Sequence, residues 1–379
     1  MNARKENSRQ LAIGNKQSAV HCSADCILHT ADLIITIMVF DKILECVPNF
    51  SEGRDPEKIN AIAAEIKKIQ DVMLLHVDSG YDANRTVMTF AGRPEAVVEA
   101  SFQAVKKAGE VIDMRYHRGI HPRFGATDVL PLIPIKGISM DETIVLARKL
   151  GERIGNELGI PVYCYEYAAL FEKRRTLANC RQGEYEGLTA KIINPIWHPD
   201  FGPAEFNAKS GAVAVGARNF LIAYNVNLAT TDIQIAKAIA ADIRESGKWI
   251  DLIDANGSKK KVHLPGIFKG LKAIGWYLPK YNKVQVSTNI TDINQSPIHK
   301  VFTEISHKAG DYGTQVTGSE LVGLVPLKVM IEAGNYFFAK DNAEALTEEE
   351  VLQKVIHKLG LNELSVFNYK ERILELVLK

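Results

Sequence analysis

His117-Arg118-Gly119-Ile120-His121-Pro122-Arg123-Phe124-Gly125-Ala126-Thr127-Asp128-Val129-Leu130-Pro131 is the stretch on which the reading of this chain turns. These fifteen residues hold two histidines, two arginines, two glycines and two prolines. No helical apolar period runs through them, so they form a loop. Pro122 biases His121 towards extended backbone and removes a donor. Gly119 and Gly125 permit turns that other residues resist. The chain then enters Val129-Leu130-Pro131-Leu132-Ile133-Pro134-Ile135, a mostly apolar run that reads as a buried strand. A polar, bent loop held against a strand is a common place for catalytic side chains.

Within the loop, His121 is the residue that shuttles protons near neutrality without a large shift. Arg118 and Arg123 flank it; they cannot act as bases, but they can hold carboxylates. The plain alternative is a turn-rich loop with a solvated histidine.

The spacing HxGxHPRxGAxDVxP resembles the signature of the formiminotransferase domain, the glutamate formimidoyltransferase family of histidine breakdown and one-carbon metabolism. Further landmarks of that family follow in its order. They are Cys46-Val47-Pro48-Asn49-Phe50-Ser51-Glu52-Gly53, Asp78-Ser79-Gly80, Asn84-Arg85-Thr86, Asp200-Phe201-Gly202-Pro203 and Gly323-Leu324-Val325-Pro326-Leu327. The resemblance covers about residue 42 to the C-terminus.

It implies transfer of a formimino group from N-formimino-L-glutamate to N5 of tetrahydrofolate, giving L-glutamate and 5-formiminotetrahydrofolate. Tetrahydrofolate is then a co-substrate, and no metal is required. The family's role for the histidine of the HPR triplet falls on His121, as base and then acid. Asp78 is the candidate to stabilise the amidinium charge, with a turn-capping aspartate as the alternative. Both substrates carry carboxylates, so Arg85, Arg93, Arg118, Arg123 and Lys209 are candidate partners. The folate is expected along Gly202, Pro203, Ala204, Glu205, Phe206, Asn207, Ala208, Lys209, Ser210 and Gly211, with Phe206 offering a ring for the pterin or benzoyl group. His117 reads as support and His76 as a satisfied core histidine. The rival is a folate-binding relative without transferase activity, or one using formyl-glutamate as donor.

Outward from the loop, periodicity gives the elements. Ile43 to Val47, Val72 to Asp78 and Arg85 to Ala91 read as strands. Asp55-Pro56-Glu57 opens a helix with Ile59, Ile62, Ile66 and Ile69 on one stripe. Helices follow at 95–109 and 140–158, with a strand at 161–165. Residues 172 to 200 read as helical excursions and loop. Gly211 to Ala217 leads into a strand at 220–227, and Asp232 caps a helix to Arg244. Residues 246 to 269 read as a surface excursion, 272–278 and 284–289 as a hairpin, 298–309 as a helix and 314–327 as strand and turn. Residues 341 to 379 read as two more helices, 346–359 the clearer. The expected fold is α+β: two similar split β-α-β subdomains of ferredoxin-like arrangement, with helices on one face of mixed sheets. The resemblance adds a substrate groove between them. The expected division is an extension at 1–41 and subdomains at 42–216 and 217–379.

The chain has 379 residues, 46 Lys plus Arg against 45 Asp plus Glu, and 46% hydrophobic residues. That length favours two domains or subdomains. The balanced charge gives no reason to expect nucleic acid or an anionic membrane as partner. Five cysteines at irregular spacing fit reduced thiols, not a disulfide framework. The expectation is a cytoplasmic homodimer acting on small molecules. Leu33 to Phe40 is apolar but too short to span a bilayer, and Met38 is the suspected start of translation. His21, Cys22, Cys26 and His29 have zinc-ligand chemistry, but their spacing fits no finger pattern. No deaminase domain of the bifunctional relatives is discernible.

Overall fold

The computed structural model describes residues 40–253, 259–338 and 346–377. The apolar leader run up to Met38 and the His21–His29 group lie outside them.

The first half opens with strand β1 (Ile43–Cys46) and the two-residue β2 (Asn49–Phe50). Helix α1 (Pro56–Lys67) follows because Asp55 accepts hydrogen bonds from the amides of Glu57 and Lys58, and Pro56 starts the first turn. Its stripe of Ile59, Ile62 and Ile66 is buried. Strands β3 (Val72–Gly80) and β4 (Arg85–Gly92), helix α2 (Pro94–Val111) and strand β5 (Thr127–Lys136) complete one strand-helix-strand, strand-helix-strand unit. Helix α3 (Met140–Leu158) is bounded by a Ser139–Glu142 capping box and by Gly159 in the left-handed region. Strand β6 (Val162–Glu166), helices α4 (Leu177–Arg181) and α5 (Glu184–Ile192), and strand β7 (Val213–Ala217) extend the unit.

The second half runs β8 (Ile222–Leu228), α6 (Ile233–Ile243), β9 (Lys248–Ile253), β10 (Lys259–Leu264), β11 (Leu271–Leu278) and β12 (Lys283–Ile290). Helix α7 (Ile298–Asp311), β13 (Val316–Val322), α8 (Leu327–Phe338) and α9 (Glu348–Leu359) follow.

The sheets show the repeat directly. In the first, β3 pairs β4, β4 pairs β1 and β1 pairs β5, all antiparallel. In the second the order is β11-β12-β8-β13, again antiparallel. Both place the unit's four strands in the same ferredoxin-like order. In the first sheet β7 and β6 continue past β5 in parallel.

Each sheet buries one face under helices. Leu44, Cys46, Met88, Phe90, Leu130 and Leu132 pack with Ile62, Val105 and Leu150. Tyr224, Val226, Val284 and Val286 pack with Ile239 and Val301. The other face of the second sheet is polar, and bonds cross from it to the first subdomain. The Gly323 amide donates to Asp78 at 3.0 Å and the Lys280 amide to Asp82 at 3.1 Å. Lys272 pairs with Glu166 at 3.0 Å.

Three expectations need correcting. The excursion at 246–269 lies at the surface but is paired: it contains the β9/β10 ribbon, most of whose residues are exposed, so that no clear two-residue alternation marks its strands. Helix α8 was not anticipated; its apolar run continues straight out of a turn at Pro326. Of the two C-terminal helices, 348–359 is whole, but the second is broken into single turns at Tyr369–Arg372 and Leu374–Val377.

Candidate active site

The loop between α2 and β5 is held open by its own polar residues. His117 donates from Nε2 to the Asn84 carbonyl at 2.8 Å and accepts from Arg123 Nε at 3.1 Å on Nδ1. Arg123 also pairs with Glu184 at 3.2 Å and Glu186 at 2.7 Å on α5. Asn84 donates to the Arg118 carbonyl at 3.0 Å. The two glycines serve close approach and not the turns expected of them, because neither has left-handed backbone. A Cβ on Gly119 would sit 2.2 Å from the Ala83 carbonyl oxygen, and one on Gly125 would sit 1.9 Å from that of Ala212.

His121 stands at the mouth of this frame. Its Nδ1 lies 2.7 Å from the Pro122 carbonyl oxygen. A carbonyl can only accept, so Nδ1 carries the proton and Nε2 presents a lone pair. The ring meets Trp276 of β11 edge-on, with centroids 5.5 Å apart. Burial drives its pKa well below the ordinary 6.5, and the charges of Arg85 and Arg181 push the same way. It is therefore a neutral imidazole at physiological pH.

Those two arginines share one carboxylate. Asp128 is fully buried. It accepts from Arg85 at 2.5 Å, from Arg181 at 2.7 Å and 3.2 Å, and from the Phe124 amide at 3.1 Å. Arg85 Nε also donates to Asn49 at 2.8 Å. Phe50 faces Thr127 and Asn49 faces Val129, so Asp128 is the extra residue of a β-bulge, which re-aims its side chain. Burial alone would raise its pKa, but Arg181 and Arg85 hold it below the ordinary range. Two guanidinium groups against one carboxylate leave a surplus positive charge beside His121. A partly enclosed surplus of this kind suits a carboxylate ligand.

The other expected residues fall in different places. Asp78 lies inside β3 and caps no turn of its own, but it holds the turn after β13 in the other subdomain. Its Oδ2 takes the Gly323 amide and the Arg372 guanidinium, the latter at 3.1 Å. His76 is not satisfied: among the described residues its buried Nε2 has no hydrogen-bond partner, and it lies 3.9 Å from Asp78. Segment 202–211 reaches the loop at its end, where Gly211 bridges Gly125. Phe206 packs on Tyr185 with centroids 5.4 Å apart. Lys209 donates to the Glu110 carbonyl, Arg93 lies beside Asp71, and Arg118 donates to the His117 carbonyl. Of the five candidate cations only Arg85 stands beside His121. Arg181 and Trp276 were missed. No spacing ties either to the loop, whereas Asp128 was already within the quoted stretch. Among the described residues no group of three or more His, Cys, Asp or Glu could hold a metal ion, and no helix is long and apolar enough to cross a membrane.

Residues 43–218 match the family model described as formiminotransferase domain, N-terminal subdomain, and residues 223–379 match the one described as formiminotransferase domain. The chain is 46% identical over 334 residues to the formimidoyltransferase-cyclodeaminase of Gallus gallus, covering 88% of this chain and 59% of that protein. It thus spans less than two thirds of that relative. It is 41% identical over 319 residues to the glutamate formimidoyltransferase of Streptococcus pyogenes serotype M1, covering 84% of this chain and 99% of that protein. To the glutamate formimidoyltransferase of Thermoplasma acidophilum it is 39% identical, covering 83% and 98%.

Proposed function

The chain belongs to the formiminotransferase domain family, and from that premise we propose that it transfers the formimino group of N-formimino-L-glutamate to N5 of tetrahydrofolate. In this reading residues 42–216 and 217–379 are its two subdomains. The relatives named as glutamate formimidoyltransferases support it over 84% and 83% of this chain. The observation that carries it is His121, neutral, with its Nε2 lone pair free and a net positive cluster beside it.

The chemistry balances through that one imidazole. N5 attacks the amidine carbon, and Nε2 takes the N5 proton as the N–C bond forms. The imidazolium then gives that proton to the glutamate nitrogen, whose bond to the same carbon breaks. A base with a depressed pKa becomes a ready acid once protonated, so the second transfer is favoured. The Arg85–Arg181 pair, surplus over Asp128, takes a glutamate carboxylate. Arg123 is left to hold the loop. Both contacts to Asp78 land on Oδ2, and its Oδ1 is assigned to the amidinium. Segment Gly202–Gly211 takes the benzoyl end of the folate through Phe206. The reading carries with it a cytoplasmic homodimer.

Purified protein with tetrahydrofolate and N-formimino-L-glutamate tests this directly. Formation of 5-formiminotetrahydrofolate and glutamate in equal amounts is expected. Folate binding without turnover, or turnover with N-formyl-glutamate alone, would replace the proposal with its rivals.

A further inference from the structure

The face of the second sheet turned towards His121 carries a connected row of polar side chains. Trp276 Nε1 donates to Gln285 Oε1 at 2.6 Å. Gln285 Nε2 donates to Asn227 Oδ1 at 2.7 Å and to Glu320 Oε2 at 3.3 Å. Asn225 Nδ2 donates to the same Glu320 oxygen at 3.1 Å. The register agrees: Trp276 faces Gln285, Gln285 faces Asn227, and Glu320 faces Asn225. Residues of opposite parity, Tyr224, Val226, Val284 and Val286, point into the helical core.

Polar side chains on a sheet face between two subdomains are costly unless partnered. Gln285 and Asn227 are fully buried and Asn225 nearly so. Asn225 and Gln285 fix Glu320 through Oε2, and among the described residues no hydrogen bond reaches Oε1. Burial pushes this carboxyl above the ordinary range, and the nearby charge of Asp78 adds to the shift. A carboxylate so placed gains most from a ligand that brings N–H donors.

Tetrahydrofolate has such an edge. Its pterin ring presents N3–H and the 2-amino group side by side, the parallel donor pair that a carboxylate receives in bidentate fashion. N5 lies at the other end of the same bicyclic ring. On the protein, His121 touches Trp276, Trp276 bonds to Gln285 and Gln285 bonds to Glu320, so base and carboxylate are separated by two intervening side chains.

We propose that Glu320 anchors the pterin ring of tetrahydrofolate through its 2-amino and N3–H groups, which sets N5 before His121. Trp276 provides the aromatic wall between the two. This rests on the transfer reading above and adds to it the half of the site that the second subdomain supplies. The folate's specificity for a 2-amino pterin then comes from β13, and its benzoyl end from the first subdomain.

Equilibrium binding by quenching of tryptophan fluorescence tests the assignment with two ligands, tetrahydrofolate and its 2-desamino-2-methyl analogue. Wild type should bind the analogue about 10- to 100-fold more weakly, the usual effect of losing a hydrogen bond to a charged group. Glu320→Gln should weaken tetrahydrofolate by a similar factor, leave the analogue nearly unchanged, and keep the wild-type melting temperature within a few degrees. Equal binding of both ligands by wild type overturns the assignment without recourse to any variant. So does a folded Glu320→Gln protein that retains the wild-type preference. Wild type that neither binds nor turns over tetrahydrofolate defeats the transfer reading itself, a different result from either.

Discussion

His121 sits between groups that pull its proton affinity in one direction. Burial and two guanidinium groups oppose the charged form; Asp128 and the Pro122 carbonyl oppose them and lose. The neutral base therefore persists below the ordinary 6.5, and the acid limb of the rate should lie beneath that value. His121→Ala should lower turnover by about 10²- to 10⁴-fold, abolish that limb and retain folate binding. A mutant with near-normal turnover would leave the loop a structural device. Arg181→Gln separates charge from geometry. It removes one positive neighbour, so the acid limb should move to higher pH while KM for formimino-glutamate rises about 10-fold. An unmoved limb would show that Arg181 does not act on His121. The same depression has a stability sign. The unfolded chain binds protons that the folded imidazole refuses, so His121 favours folding least at acid pH, and stability declines as pH falls through 6.5. The histidine proposed as catalytic was legible because its loop, its proline and its glycines are contiguous. Arg181 was not: it meets Asp128 across 53 positions, a relation only the tertiary fold creates.

At the scale of elements, loop and strand are joined by backbone contact. Gly125 bridges Gly211, the Ala126 amide donates to Ser210, and Ser51 Oγ donates to the Gly125 carbonyl at 2.7 Å. Gly125→Ala should force the loop away from residues 210–212, costing about 1–3 kcal/mol of stability through overpacking. Turnover should fall further than that loss implies, because the strand carrying Asp128 starts two residues on. Thermal melts and kcat measured together check this; a stable, fully active variant would contradict the tight approach. Strands and helices with period two or 3.6 were readable in advance, down to the cap at Asp55 and the span of α3. β7 was read only as a lead-in because all five of its residues are buried, as expected of a parallel strand covered on both faces. α8 escaped for another reason. Its buried side, Val329, Met330, Ala333 and Gly334, packs so closely that a Cβ on Gly334 would lie 2.3 Å from Val351. Its polar residues Lys328, Glu332 and Asn335 do recur at helical spacing, but the run starts directly behind Pro326 with no polar cap to mark it off from the strand and turn before it.

The whole molecule is one α+β unit used twice, with the first copy extended by two parallel strands. Each copy supplies what the other lacks: the first brings His121 and the two arginines beside it, the second a wall of tryptophan, amides and a carboxylate. The repeat was visible in the sequence as a recurring order of elements, but the facing of the two sheets was not. That depends on single contacts between residues far apart in the chain, and Arg372 joins one of them, that to Asp78, to the turn after β13. Its guanidinium donates to Asp78 at 3.1 Å, to the Gly323 carbonyl at 3.1 Å and to the Leu321 carbonyl. Arg372→Ala leaves the first helical core untouched and uncovers in the second only the ring of Phe367, over which the guanidinium lies at 5.4 Å. It strips Asp78 of a charged partner and frees the turn after β13. Hydrogen bonds to charged groups contribute about 1.5–3 kcal/mol each at most, so the subdomains should stay folded while their mutual register loosens. Calorimetry should show a lower and broader transition than wild type. KM for tetrahydrofolate and for formimino-glutamate should rise together, because the proposed site draws on both sheets. A change confined to one substrate would place Arg372 in that substrate's pocket, and an unchanged melting profile with unchanged kinetics would mean that other contacts hold the sheets face to face.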